Sequence, residues 1–157
     1  MPCYHASMTK NTNNHLQVEL HVPDFDIVLD FYGKLGFRTV WQRSNGDSGD
    51  YLVMERAGTI LSFWPGNDQV FNQSYFNRFP KDTKRGFGVE IVITVEDVQK
   101  LHDEIKSFAK IVNPLVKRAW GLWDFRIEDP FGYYLRITEP HDITDNTYAI
   151  PDDFKDE

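Results

Sequence analysis

Two stretches of this 157-residue chain, seventy-three positions apart, carry one pattern. Gln17-Val18-Glu19-Leu20-His21-Val22-Pro23-Asp24 alternates polar and apolar residues and ends on an aspartate. Glu90-Ile91-Val92-Ile93-Thr94-Val95-Glu96-Asp97 does the same, and a helical pattern follows each. An internal duplication predicts two similar units facing each other across a shared groove. A ligand or substrate is to be sought in that groove.

Each copy continues alike. Residues 16–22 place Val18, Leu20 and Val22 on one face of a strand, and Gln17, Glu19 and His21 on the other. Asp24 is placed to cap a helix over 25–35 whose apolar stripe is Phe25, Val28, Leu29 and Tyr32. Strands are predicted at 37–43, 51–56 and 59–64, with Asn45-Gly46 as a hairpin turn and Ala57-Gly58 as the next. The second copy predicts a strand at 88–95 and a helix over 97–109 with Val98, Leu101, Ile105 and Phe108 on one stripe. Strands follow at 111–117, 122–128 and 133–139. Pro114 marks an edge or a bulge, and Asp129-Pro130-Phe131-Gly132 a tight turn. The chain divides as one domain with module one at 16–64, a linker at 65–86, module two at 87–139 and a tail at 140–157. Val18, Leu20, Val22, Ile91, Ile93, Val95, Leu135 and Ile137 are expected on the helix side of the sheets.

With 41% apolar and 15% aromatic residues, the chain can pack a core. No run approaches the ~18 apolar residues of a membrane span, and residues 1–14 lack the apolar stretch of a signal peptide. Cys3 is the only cysteine, which forbids an internal disulfide and agrees with a cytoplasmic location. The net charge is −7, of which residues 140–157 carry −5 through six acids and Lys155. Such a tail aids solubility and can attract a cationic ligand. No basic patch with interleaved aromatics points to nucleic acid.

The stretch from Val22 to Phe37, the Thr94-Val95-Glu96-Asp97-Val98 segment and Asp129-Pro130-Phe131-Gly132-Tyr133 together resemble the vicinal-oxygen-chelate superfamily of glyoxalases, extradiol dioxygenases and bleomycin resistance proteins. The resemblance implies an α+β fold of paired βαβββ modules, curled mixed sheets around a cleft, and a homodimer. Fold alone does not give the chemistry. Metal-dependent members place one ligand on each of four strands, and the corresponding positions here are Gln17, Ser62, Glu90 and Arg136. A guanidinium cannot ligate a cation, and a hydroxyl is a poor substitute for carboxylate. The resemblance therefore implies no metal and no cofactor, with a Glu90–Arg136 ion pair across the metal position. The alternative is a metal-dependent lyase, isomerase or dioxygenase with a displaced site built from His21, Glu19 and Glu90.

Trp120-Gly121-Leu122-Trp123, leading into Asp129-Pro130, is similar to the corresponding segment of bleomycin resistance proteins, which sequester a drug without chemistry. The implied function is metal-free binding of a small, partly aromatic, cationic molecule such as a bleomycin-type antibiotic. The implied ligand-binding residues are Gln17, Glu19, His21, Trp41, Ser62, Trp64, Glu90, Trp120, Trp123, Tyr134 and Arg136. The aromatics Phe71, Tyr75 and Phe76 stand in the linker, which could instead plug the groove.

Overall fold

The structure, a computed structural model, describes residues 16–44, 49–65 and 68–144. Cys3, the Asn45-Gly46 turn and the tail beyond residue 144 lie outside the described residues. The first unit comprises β1 (Glu19–Val22), α1 (Phe25–Lys34), β2 (Arg38–Arg43), β3 (Tyr51–Arg56) and β4 (Thr59–Pro65). The connection holds a short helix, α2 (Asp68–Asn72), and a 3-10 turn at Phe76–Arg78. The second unit comprises β5 (Glu90–Thr94), α3 (Val98–Ile105), β6 (Lys110–Lys117), β7 (Trp123–Glu128) and β8 (Tyr134–Thr138). The strand orders are β1-β4-β3-β2 and β5-β8-β7-β6. In each sheet the first strand runs parallel to the last, β1 to β4 and β5 to β8, and the other pairs are antiparallel. The sequence repeat is thus a repeat of topology, an α+β fold of paired βαβββ units.

The repeated aspartates do the same local work. Asp24 accepts hydrogen bonds from the Asp26 and Ile27 amides at 2.8 and 3.3 Å, and Asp97 accepts from Lys100 N at 2.9 Å. Each satisfies amides that the first helical turn leaves without partners. The β3–β4 turn has positive φ at both Ala57 (48°) and Gly58 (81°), the backbone that matches the twist of a two-residue hairpin. Pro114 sits in β6, an edge strand with register shifts on either side of Asn113.

Buried residues of both units form one cluster. Val22, Tyr32 and Phe63 from the first meet Ile105, Phe125 and Leu135 from the second, all essentially inaccessible. Leu20, Val22, Ile93, Val95, Leu135 and Ile137 are buried as the alternation predicts, with Val18 and Ile91 packed against them. Two boundaries differ from the sequence reading. α3 ends at Ile105, because the amides of Phe108 and Ala109 both return to the Ile105 carbonyl. Ala109 therefore takes the buried place, while Phe108 is 41% exposed and meets the ring of Phe31 at the surface. β1 begins at Glu19 rather than residue 16, and Leu16 is 82% exposed.

Candidate functional site

The helix-free face of the second sheet carries charge. Phe125 and Ile127 of β7 point into the core, so Asp124, Arg126 and Glu128 point the other way. Asp124 is fully buried there, and Arg118, whose carbonyl accepts from Gly121 N in the preceding turn, reaches it. Three guanidiniums converge on it: Arg118 Nε at 2.6 Å, Arg126 Nη1 at 3.2 Å and Arg136 Nη2 at 3.1 Å. Arg126 Nε also reaches Glu90 Oε1 at 3.2 Å, and the Arg136 guanidinium lies 5.4 Å from the Trp120 ring. At the other end of β7, Glu128 is shared by Lys84 Nζ (2.6 Å) and Lys110 Nζ (2.8 Å). The two lysines hold the Glu128 carboxyl below the usual range.

The expected Glu90–Arg136 pair therefore does not form. In the order β5-β8-β7, Arg136 stands opposite Val92, not Glu90, and directly beside Arg126. Asp124 relieves that like-charge contact by taking both guanidiniums, which leaves Glu90 to Arg126.

On the first sheet, Glu19 accepts from the Tyr51 hydroxyl, and Ser62, opposite Glu19 in the β1–β4 register, is buried. His21 stands opposite Trp64, whose ring packs edge-on against the imidazole. The linker closes over this end of the sheet and sets Phe76 against His21 at 5.3 Å. Behind it lies a cavity of about 370 Å³, lined by Phe71, Tyr75, Phe76 and Phe79 of the linker, by His21 and by Tyr133. Lys84, Arg85 and Phe87 also line it. Tyr133 fixes the cavity to both units. Its hydroxyl donates to the His21 carbonyl and accepts from the His21 amide, both at 2.9 Å, so a side chain pairs with the free edge of β1. Burial pushes the Tyr133 hydroxyl up to about 12. Burial also brings the His21 imidazole down to about 4, against the opposing pull of Glu19 and with a smaller push from Arg85. His21 Nδ1 and Trp64 Nε1 are buried with no hydrogen-bond partner among the described residues.

These residues do not fit a divalent ion. Arg136 is a cation bound to Asp124, Glu90 is committed to Arg126, and Gln17 and Ser62 bring only neutral oxygens. Nor are the residues of a displaced site assembled: among the described residues no three His, Cys, Asp or Glu side chains group as a metal site.

The structure divides the remaining sequence-predicted residues. His21 lines the cavity and Trp64 backs it. Trp120, Glu90 and Arg136 gather at the charged face, and Tyr134 follows Arg136 by alternation on β8. Trp41 lies on the edge strand β2, 44% exposed and 6.1 Å from Tyr51. Gln17 is exposed ahead of β1. Trp123 is not a groove residue: it packs against the core cluster, because it alternates with Asp124. A cationic ligand was expected to meet Glu19 and Glu90, but neither lines the cavity, and both carboxylates have protein partners. The sequence reading missed Phe79, Lys84, Arg85 and Tyr133 at the cavity, and Arg118, Asp124 and Arg126 at the charged face. The helical spacing of Phe71, Tyr75 and Phe79 was the available signal for the linker.

Two βαβββ units with helix-free sheet faces and an aromatic cavity at their junction define a paired-module protein of the glyoxalase type. The sequence matches the Glyoxalase/Bleomycin resistance protein/Dioxygenase superfamily over residues 14–137, and the chain belongs to that superfamily. A protein of unknown function from Agrobacterium tumefaciens str. C58 is similar in structure, with TM-score 0.63, 20% identity and coverage of 82% of this chain and 94% of that one. TioX from Micromonospora sp. ML1 superimposes with TM-score 0.61 at 22% identity, covering 80% and 98%. A bleomycin-binding protein complexed with bleomycin gives TM-score 0.52 at 20% identity, covering 82% and 99%. At these identities the likeness is one of fold. No curated protein matches by sequence comparison. Among the described residues no helix is long and apolar enough to cross a membrane.

Proposed function

We propose that the chain binds and sequesters a small, partly aromatic molecule without metal chemistry, and does so as a homodimer. The observation that carries this is the linker cavity. Its volume of about 370 Å³ falls within the range of small-molecule sites, and four linker aromatics with His21 and Tyr133 offer ring faces and edges. The buried, unpartnered His21 Nδ1 gives a polar atom at its wall.

Bleomycin-type antibiotics are the named candidates because one structural neighbour is a bleomycin-binding protein. The flat heteroaromatic rings of such a drug suit the aromatic lining. Trp64 touches His21, so its fluorescence is a reporter. The test is a tryptophan-fluorescence titration with bleomycin, with and without copper. Saturable quenching that Phe76→Ala weakens is the expected result. Unchanged fluorescence with no heat on calorimetric titration would remove bleomycin as the ligand. A catalytic reading would require stoichiometric metal held through Glu90 and lost in Glu90→Ala, measured by elemental analysis after incubation with Ni, Zn, Mn and Fe.

A further inference from the structure

We infer that the linker cavity selects an uncharged aromatic molecule over an organic cation or an organic anion. This rests on the cavity being the binding site and goes on to the chemical class it takes. The linker makes the volume. Thr94 stands seventy-three positions after His21, at the same place in the repeat. There Arg56 Nη1 donates to the Thr94 carbonyl at 2.7 Å, as the Tyr133 hydroxyl donates to that of His21. The pocket at this second junction holds only about 100 Å³. The first junction reaches about 370 Å³ with Phe71, Tyr75, Phe76 and Phe79 of the linker set over it. The ring-lined space is therefore a built feature of one junction and not a by-product of the repeated fold.

The charges around the lining are already engaged within the protein. Lys84 pairs with Glu128 at 2.6 Å, and Lys110 shares that carboxylate. Arg85 is not free either, and the carboxylates Glu19 and Asp129 act on the same His21 and Tyr133 that feel its charge. Lys81 and Asp82, the neighbouring charges of the linker, are exposed and opposite in sign. An anion would thus meet partnered cations with Glu19, Glu128 and Asp129 behind them. A cation fares no better. It would enter beside Lys84 and Arg85, and the Arg78 guanidinium already lies over Tyr75 and Phe79, 4.1 and 5.3 Å from the ring centroids. The Tyr133 hydroxyl is committed in both directions to the β1 backbone. His21 is neutral at physiological pH, since burial holds it down to about 4. Either ion would give up hydration for an apolar lining and gain no unopposed counter-charge. An uncharged ring system gives up little water and gains contact with six aromatic side chains.

The test uses three probes that share one ring system: 2-naphthylmethanol, 2-naphthoate and 2-naphthylmethylammonium, titrated into the full chain near neutral pH by calorimetry. The alcohol should bind about tenfold more tightly than either ion. Its binding should not weaken at about 0.5 M salt, where exposed charges are screened, and should show a negative heat-capacity change. Two variants, checked for folding by circular dichroism, locate the site. Phe76→Ala removes a ring from the lining, and Thr83→Trp adds bulk at an exposed lining position, so each should weaken alcohol binding several-fold. If Phe76→Ala does not fold, Thr83→Trp decides. Either ion binding as tightly as the alcohol, in a manner that Thr83→Trp weakens, would overturn the inference while leaving the cavity a binding site. Failure of all three probes to bind would instead sink the reading of the cavity as a ligand site, as would alcohol binding that neither substitution changes.

Discussion

The Tyr32 hydroxyl donates to Asp129 Oδ2 at 2.9 Å, and both residues are buried. The bond joins the first helix of one unit to the Asp-Pro-x-Gly turn of the other. Asp129 also accepts the amides of Phe131 and Tyr133 at 2.9 and 2.8 Å, so one carboxylate both shapes its turn and anchors the distant helix. Burial raises the Asp129 carboxyl, and these hydrogen bonds oppose the rise. Tyr32→Phe removes a donor from a buried acceptor. It should cost about 1–3 kcal/mol in urea unfolding, with the slope unchanged.

Asp124→Ala should be more damaging. It leaves Arg118, Arg126 and Arg136 facing one another with only Glu90 as counter-charge. Breaking a buried ion cluster by removing its acid costs about 3–5 kcal/mol. Arg118→Ala should cost less, since two guanidiniums still partner Asp124. Equal unfolding midpoints for the two variants would contradict this account.

The pH profile should carry the signature of His21. Its folded value is depressed to about 4 from an ordinary 6.5, chiefly by burial. Between those values the unfolded chain binds the proton and the folded chain does not. The contribution of His21 to stability is therefore present above about 6.5 and is lost as pH falls toward 4. His21→Gln should flatten that part of a plot of unfolding midpoint against pH. A profile unchanged in the variant would show that another group governs the slope.

Gly86 should tolerate no side chain. Its φ is +66°, and a Cβ there would stand 2.7 Å from Tyr133 Cδ1. Gly86→Ala must strain the backbone or move the ring that pairs with β1 and walls the cavity. The expected outcome is a loss of about 1–3 kcal/mol together with weakened probe binding. Full stability with unaltered binding would count against the described position of Tyr133.

The proposed homodimer has a direct test. The two long helices pack on one side of the sheets, and apolar groups such as Trp41 (44%) and Val92 (47%) remain exposed on strands. An isologous contact would cover such groups. Light scattering at micromolar concentration should report twice the 18.4 kDa chain mass. A monomer at that concentration would refute the dimer.

The sequence by itself determined the duplicated βαβββ order, the cap Asp24, the Ala57-Gly58 turn and the core faces of β1, β5 and β8. These are written in local periodicity and in residues with special backbone or capping chemistry, so a window of a few residues suffices. It also identified Arg136 as incompatible with a metal, since a guanidinium cannot ligate in any fold. Only the tertiary structure decided the partners. Glu90 and Arg136 part company because β8 sets Arg136 beside Arg126 and opposite Val92, a registry that no local pattern encodes. Trp123 turns inward and Asp124 outward through the same alternation, yet Asp124 is the fully buried one, gathered under Arg118, Arg126 and Arg136 from three places in the chain. The linker aromatics become a cavity only when Tyr133, 112 residues away, grips the edge of β1 at His21. Contacts of such separation follow from how whole elements pack, so the fold was legible residue by residue while the site was assembled by packing.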